Sequence, residues 1–169
     1  MNKEEAISLA LITKSLDGSL IYRASKDGFK ALDFHSKCDY KSNTITIIKN
    51  NLNFIFGGYM AANRSNNASW IEDKNAFVFS LRKKGISNSK VFPVKSPQYA
   101  IDGSRGYGPI FGQDILIVDE SNVQKGSYTH LGNKYNYEEL EDPKNYLSGN
   151  WKNWVVTEIE VYEIKKYIK

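Results

Sequence analysis

Along the N-terminal stretch, Ile7, Ala10, Leu11 and Lys14 fall on one helical face. Asn2 followed by Glu5 forms a capping-box pattern, so a helix is predicted over 3–14. "SLIYRAS" (19–25) reads as a strand, ended by the turn signal Asp27-Gly28. In "KALDFHSKCD" (30–39) the apolar positions do not alternate, whereas Ala31, Phe34 and Cys38 fit helical spacing and predict a short helix. The pattern then changes. "NTITIIK" (43–49) is β-branched, and "NFIFGGYMA" (53–61) follows the Asn50-Asn51 turn, which predicts a hairpin. "NAFVFSLRK" (75–83) alternates Phe77, Phe79 and Leu81 against Ala76, Val78 and Ser80. "KVFPVK" (90–95), "YAID" (99–102) and "DILIVD" (114–119) are shorter predicted strands. The longest is "NWVVTEIEVYEIK" (153–165). Strict alternation there sets Val155, Thr157, Ile159 and Val161 on one face and Glu158, Glu160 and Tyr162 on the other.

Short strands, mostly hairpin-connected and punctuated by Gly, Asn and Pro, predict a mainly β (α+β) fold. The expected architecture is an antiparallel β-sandwich flanked by a few short helices and long loops. No strand–helix alternation of the doubly wound kind is present, and no internal repeat. Segments 62–74 and 120–145 are the longest without a regular pattern, and long loops often serve as binding surfaces. At 169 residues the chain fits one domain over 1–169. A start at Met1 argues mildly against a fragment of something larger.

Composition narrows the function classes. A single cysteine cannot form an internal disulfide, which fits a reducing compartment. The N-terminus lacks the basic start and long apolar centre of a signal peptide. Nothing approaches the about 20 apolar residues that cross a bilayer, so a soluble, cytoplasmic chain without membrane insertion is expected. Asn-x-Ser triplets at Asn63 and Asn67 are of the kind that arise by chance in a chain with 16 asparagines. The formal charge of +4 hints at nucleic acid, but the detail argues against it: the 23 basic residues are 19 scattered lysines and only four arginines. Base reading and phosphate clamping favour the guanidinium fork.

Four features invite a chemical reading. The glycine-rich "DGSRGYGPIFG" (102–112) has neither a dinucleotide nor a P-loop pattern. It is followed by a strand rather than a helix, so a tight loop entering the 114–119 strand is expected, and no cofactor. A metal site would have only His35, Cys38 and His130 as soft ligands, without structural-zinc spacing, and no metal is expected. The pair in "FHSKCD" is the sharpest. His35 and Cys38 lie at i and i+3, where an imidazole lowers a thiol pKa and makes a nucleophile. Against this, cysteine is among the most buried residue types, and Phe34 and Cys38 together suit a helix anchor. Glu158 and Glu160 share a strand face, either as an acid pair or as the solvated side of an amphipathic strand.

Taken in order, "LIYRASKDGF", "FHSKCDYKSNTITIIK", "FIFGGY" with Trp70 beyond it, "AFVFSL", "GPIFGQDILI" and "YLSGNWKNWVVTEIEVYEI" resemble a TLDc domain over about 15–164. Gly57-Gly58 match the family's "FGGY" turn, Phe77–Leu81 its central strand, and Glu160 the acidic position of its last strand. The version with "FHSKCD" and "FGQDI" is similar to the TLDc modules of protists. The resemblance implies a two-sheet antiparallel sandwich edged by helices. It also implies a role in oxidative-stress resistance and, for several members, binding to the peripheral sector of the vacuolar proton pump (V-ATPase). It supplies no catalytic residues. The expectation is therefore a non-enzymatic interaction module, with a binding surface from Gly57, Gly58, Tyr59, Trp70, Gly112, Asp114, Glu158 and Glu160. The alternative is a thiol-dependent antioxidant or hydrolase using Cys38 with His35.

Overall fold

A computed structural model describes residues 1–15, 17–65, 69–137 and 139–165 of the chain. Among these residues three helices are found: α1 (Lys3–Thr13), α2 (Ala24–Asp27) and α3 (Ala31–Cys38). The strands along the chain are β1 (Gly18–Arg23), β2 (Thr44–Asn50), β3 (Ile55–Met60), β4 (Trp70–Ile71), β5 (Phe77–Lys83), β6 (Ile86–Pro93), β7 (Ile101–Asp102), β8 (Tyr107–Phe111), β9 (Ile115–Val118), β10 (Tyr128–Thr129) and β11 (Val156–Ile164). They form a six-stranded sheet in the order β1-β11-β2-β3-β5-β6 and a five-stranded sheet in the order β10-β9-β8-β7-β4, with every pairing antiparallel. The sandwich predicted from the strand pattern is the fold.

The larger sheet is covered on both faces. Its inner face contributes Ile48, Phe56, Val78, Phe92, Ile159 and Val161 to a core shared with Phe111, Ile115 and Ile117 of the smaller sheet. Its outer face carries Ile45, Ile47, Ile55, Tyr59, Phe79 and Leu81, against which Leu9 and Ile12 of α1 pack. This explains the sequence pattern: β2 and β3 read as nearly continuous apolar runs because both sides are buried. Fully burying each such side chain contributes about 1.5–3 kcal/mol.

Helix α1 begins as predicted, with the Asn2 side chain accepting from Glu5 N and the Glu5 carboxylate accepting from Asn2 N. The same carboxylate is buried and takes a bidentate pair from Arg82 on β5, at 2.6 and 2.9 Å. Burial pushes the Glu5 carboxyl up, but the Arg82 guanidinium and the Asn2 N–H hold it below its ordinary value. A capping residue thus also fastens the helix to the sheet.

Several local expectations are corrected. "FGGY" is not a turn: Gly57 and Gly58 lie mid-strand in β3, paired to both β2 and β5. A β-carbon on Gly58 would stand 2.5 Å from the Phe111 ring, so the glycine lets the opposite sheet press onto the β3 backbone. The glycine-rich stretch before Gly112 is a loop only over 103–106, since Tyr107–Phe111 form β8. Strand β11 bulges between Val156 and Glu158, so Val156, Ile159 and Val161 face the core while Thr157 is exposed. In "YAID" only Ile101 and Asp102 are strand, after a 3-10 turn over Pro97–Tyr99. Segment 120–145 is tied down rather than open. It contains β10, buries Leu131 and Tyr135, and bonds the Tyr135 hydroxyl to the Ala100 carbonyl at 2.7 Å. The Asn67 triplet lies outside the described residues.

Candidate functional site

In "FHSKCD", α3 turns Ala31, Phe34, His35 and Cys38 toward the protein interior. The helix starts where Ala31 N donates to the Asp119 carboxylate at 2.7 Å, and Phe34 meets Tyr22 edge-on with centroids 5.7 Å apart. Cys38 is 1% exposed and belongs to the core. Burial pushes its thiol up to about 12, against the pull of the Arg64 charge. A thiol in that state is neutral at physiological pH and is a poor nucleophile. His35 does not activate it. Its Nε2 donates to the Tyr107 carbonyl on β8 at 3.0 Å, and its Nδ1 meets the Asp39 carboxylate at 2.8 Å. With both ring nitrogens engaged, His35 acts as a clamp between α3 and the smaller sheet. The pair that looks like nucleophile and base by spacing is an anchor and a clamp.

Arg64 was not singled out in the sequence, because it sits in the 62–74 stretch expected to be a surface. It is 1% exposed. The segment is drawn in by backbone bonds from Tyr40 N to Arg64 O at 2.7 Å and from Arg64 N to Lys41 O at 2.9 Å. Its guanidinium stands 5.1 Å from the Phe34 ring centre, and burial lowers its pKa. The neighbouring Asn63 is exposed and donates to the Tyr40 carbonyl.

The eight expected binding positions do not make one surface. Gly57, Gly58 and Tyr59 are buried in β3, and Gly112 and Asp114 are buried at the turn from β8 to β9. Gly112 has a left-handed φ of 57°, and a β-carbon there would meet Lys134 at 2.6 Å. Asp114 accepts backbone N–H groups from Gly132, Asn133 and Lys134 at 2.8, 3.1 and 2.6 Å, so it shapes the 130–135 loop from within. Burial pushes its carboxyl up to about 6, with those N–H groups pulling the other way.

Three of the eight reach solvent. Trp70 is half-buried on β4, the edge of the smaller sheet, where it meets Tyr99 edge-on at 5.4 Å. Glu158 and Glu160 lie together on β11 beside β1. Glu158 is held by the backbone N–H and hydroxyl of Ser25, at 3.0 and 2.5 Å. Glu160 pairs with its cross-strand neighbour Arg23 at 2.7 Å and accepts from the Tyr162 hydroxyl at 3.1 Å; the Glu160 side chain is 21% exposed. The two glutamates line a groove of about 320 Å³ together with the apolar Met1, Ile47 and Ile55 and the polar Lys49 and Thr157. Sequence spacing found both acids on one face. Arg23 and Ser25, which orient them, carried no signal because their closeness arises only from the β1–β11 pairing.

The class defined by this architecture is a two-sheet antiparallel β-sandwich whose larger sheet carries on its outer face a groove lined by two oriented glutamates. A family model described as "TLDc domain" matches residues 5–165, nearly the whole chain, and the chain belongs to that family. No curated protein matches it. Among the described residues no helix is long and apolar enough to cross a membrane.

Proposed function

We propose that this chain is a non-enzymatic protein-interaction module of the cytoplasm. It acts in oxidative-stress resistance by binding the peripheral sector of the V-ATPase and regulating its assembly. Membership of the TLDc family supports the class of function. The observation that carries the reading to particular residues is the groove by β11, where Glu160 is held in one orientation by Arg23 and Tyr162 beside the apolar Ile47 and Ile55. A charge already fixed in place loses little rotamer freedom on binding, which favours recognition of a basic partner surface. Trp70 is a second contact on the other sheet, where an aromatic supplies large area with few rotors. Gly57, Gly58, Tyr59, Gly112 and Asp114 are buried and belong to the scaffold that displays these contacts. The burial of Cys38 and the engagement of His35 give the thiol-enzyme reading no comparable support.

The test is a pull-down from a lysate that contains the pump, with the folded domain as bait and Glu160→Lys and Glu160→Gln as companions. Capture of peripheral-sector subunits by wild type, with a loss of at least several-fold for both variants while their melting curves stay near wild type, is the expected result. Equal capture by all three overturns the assignment of Glu160, and no capture by wild type overturns the partner.

A further inference from the structure

Helix α1 carries two stripes. The inner one, Glu5, Leu9 and Ile12, docks on the larger sheet through Arg82 and the outer-face apolar cluster. The outer one is Glu4, Ile7 and Leu11, at the three–four spacing of a coiled-coil seam, with Lys14 just past the helix end as its left-handed cap (φ 53°); all four residues are exposed. Its centre is apolar, with Ile7 52% and Leu11 73% exposed. Among the described residues this stripe lies outside both hydrophobic clusters, and the helix is fastened on its other side. Ala6 and Ala10 flank it and, with Leu9, Ile45 and Ile164, line a groove of about 330 Å³ between the helix and the larger sheet.

We propose that α1 is the seam of a homodimer in which two copies of the helix pack antiparallel across a two-fold axis. The charges select this occupant and this direction. The antiparallel register that sets Ile7 of one copy against Leu11 of the other also sets Glu4 against Lys14, at both ends of the seam. A parallel two-fold pairing would set Glu4 against Glu4 and Lys14 against Lys14. The stripe is therefore self-complementary in one orientation and repulsive in the other, as an isologous contact requires. The proposal is independent of the pump-binding reading, because it uses none of the residues assigned there.

Sedimentation of the full chain from micromolar to millimolar concentration tests it. A dimer is expected that grows with concentration and weakens with added salt. Leu11→Ser should raise the dimer Kd about tenfold or more, since each substitution acts twice across the axis, while the melting temperature of the dilute monomer stays unchanged. Glu4→Lys and Lys14→Glu should each weaken association, and the double variant should restore it, because opposite charges again face each other. A wild type that stays monomeric throughout overturns the proposal, even if it binds phosphatidylserine vesicles through the same stripe. So does a dimer that neither Leu11→Ser nor the charge exchange moves.

Discussion

At the scale of single residues, the glycines of "FGGY" show how a motif can report packing. Gly58 matters because the Phe111 ring occupies the space a side chain would take. Gly58→Ala should therefore lose about 1–3 kcal/mol from overpacking, read as a lower urea midpoint at unchanged slope. Gly106→Ala is the control, since a β-carbon there meets nothing within 4 Å, and it should stay near wild type. Cys38 and His35 make the same point in chemical terms. Their spacing permits an active thiol, but spacing says nothing of depth, and depth leaves the thiol neutral while the imidazole bonds to Tyr107 and Asp39.

At the scale of elements, α1 depends on one polar clamp. Removing Arg82 would leave the buried Glu5 carboxylate unpaired, so Arg82→Gln should cost about 3 kcal/mol of helix docking. Tryptic cleavage after Lys14 should accelerate while the strands remain resistant, and an unchanged cleavage rate would show that apolar packing alone holds the helix. Helices α1 and α3 and most strands were legible in the sequence, because capping and periodicity are local, whereas α2 (Ala24–Asp27) falls where a strand end and a turn were expected. α1, α3 and the β2–β3 hairpin lie close to where Asn2, Ala31 and the Asn50-Asn51 turn predicted them. What was missed is non-local. The two-residue strands β4 and β10 exist only through their partners β7 and β9. The bulge at Thr157 reverses part of the expected facing of β11, and Arg64 is pulled inside by backbone bonds to residues 40 and 41. In the candidate site both glutamates were legible, and the arginine and serine that aim them were not.

For the whole molecule, two buried carboxyls pull the acid stability curve in opposite directions. Glu5 titrates below its ordinary 4.5 in the fold, so its contribution is present above that pH and is lost as pH falls through the lower folded value. Asp114 rises from 3.8 to about 6, so its contribution is fully present below 3.8 and is lost as pH climbs through about 6. Across that window Asp114 should make stability fall by roughly 3 kcal/mol, at about 1.4 kcal/mol per pKa unit. Urea titrations at a series of pH values should show this downward slope in wild type and a flatter one in Asp114→Asn, whereas Glu5→Gln should leave it steep.

The position of β11 has a consequence for how the molecule is made. It lies between β1 and β2, pairing Gly18 with Ile164 on one side and Asn50 with Val156 on the other. A chain still growing on the ribosome therefore carries two of its earliest strands with open edges until residues 156–164 emerge. At elongation rates of about 5–20 residues per second this is an interval of about 5 to 20 seconds. During that time the open edges of β1 and β2 are templates for pairing with another nascent chain. Timing of synthesis, and the chaperones that attend it, thus bear on this fold more than on one whose strands close in the order they are made.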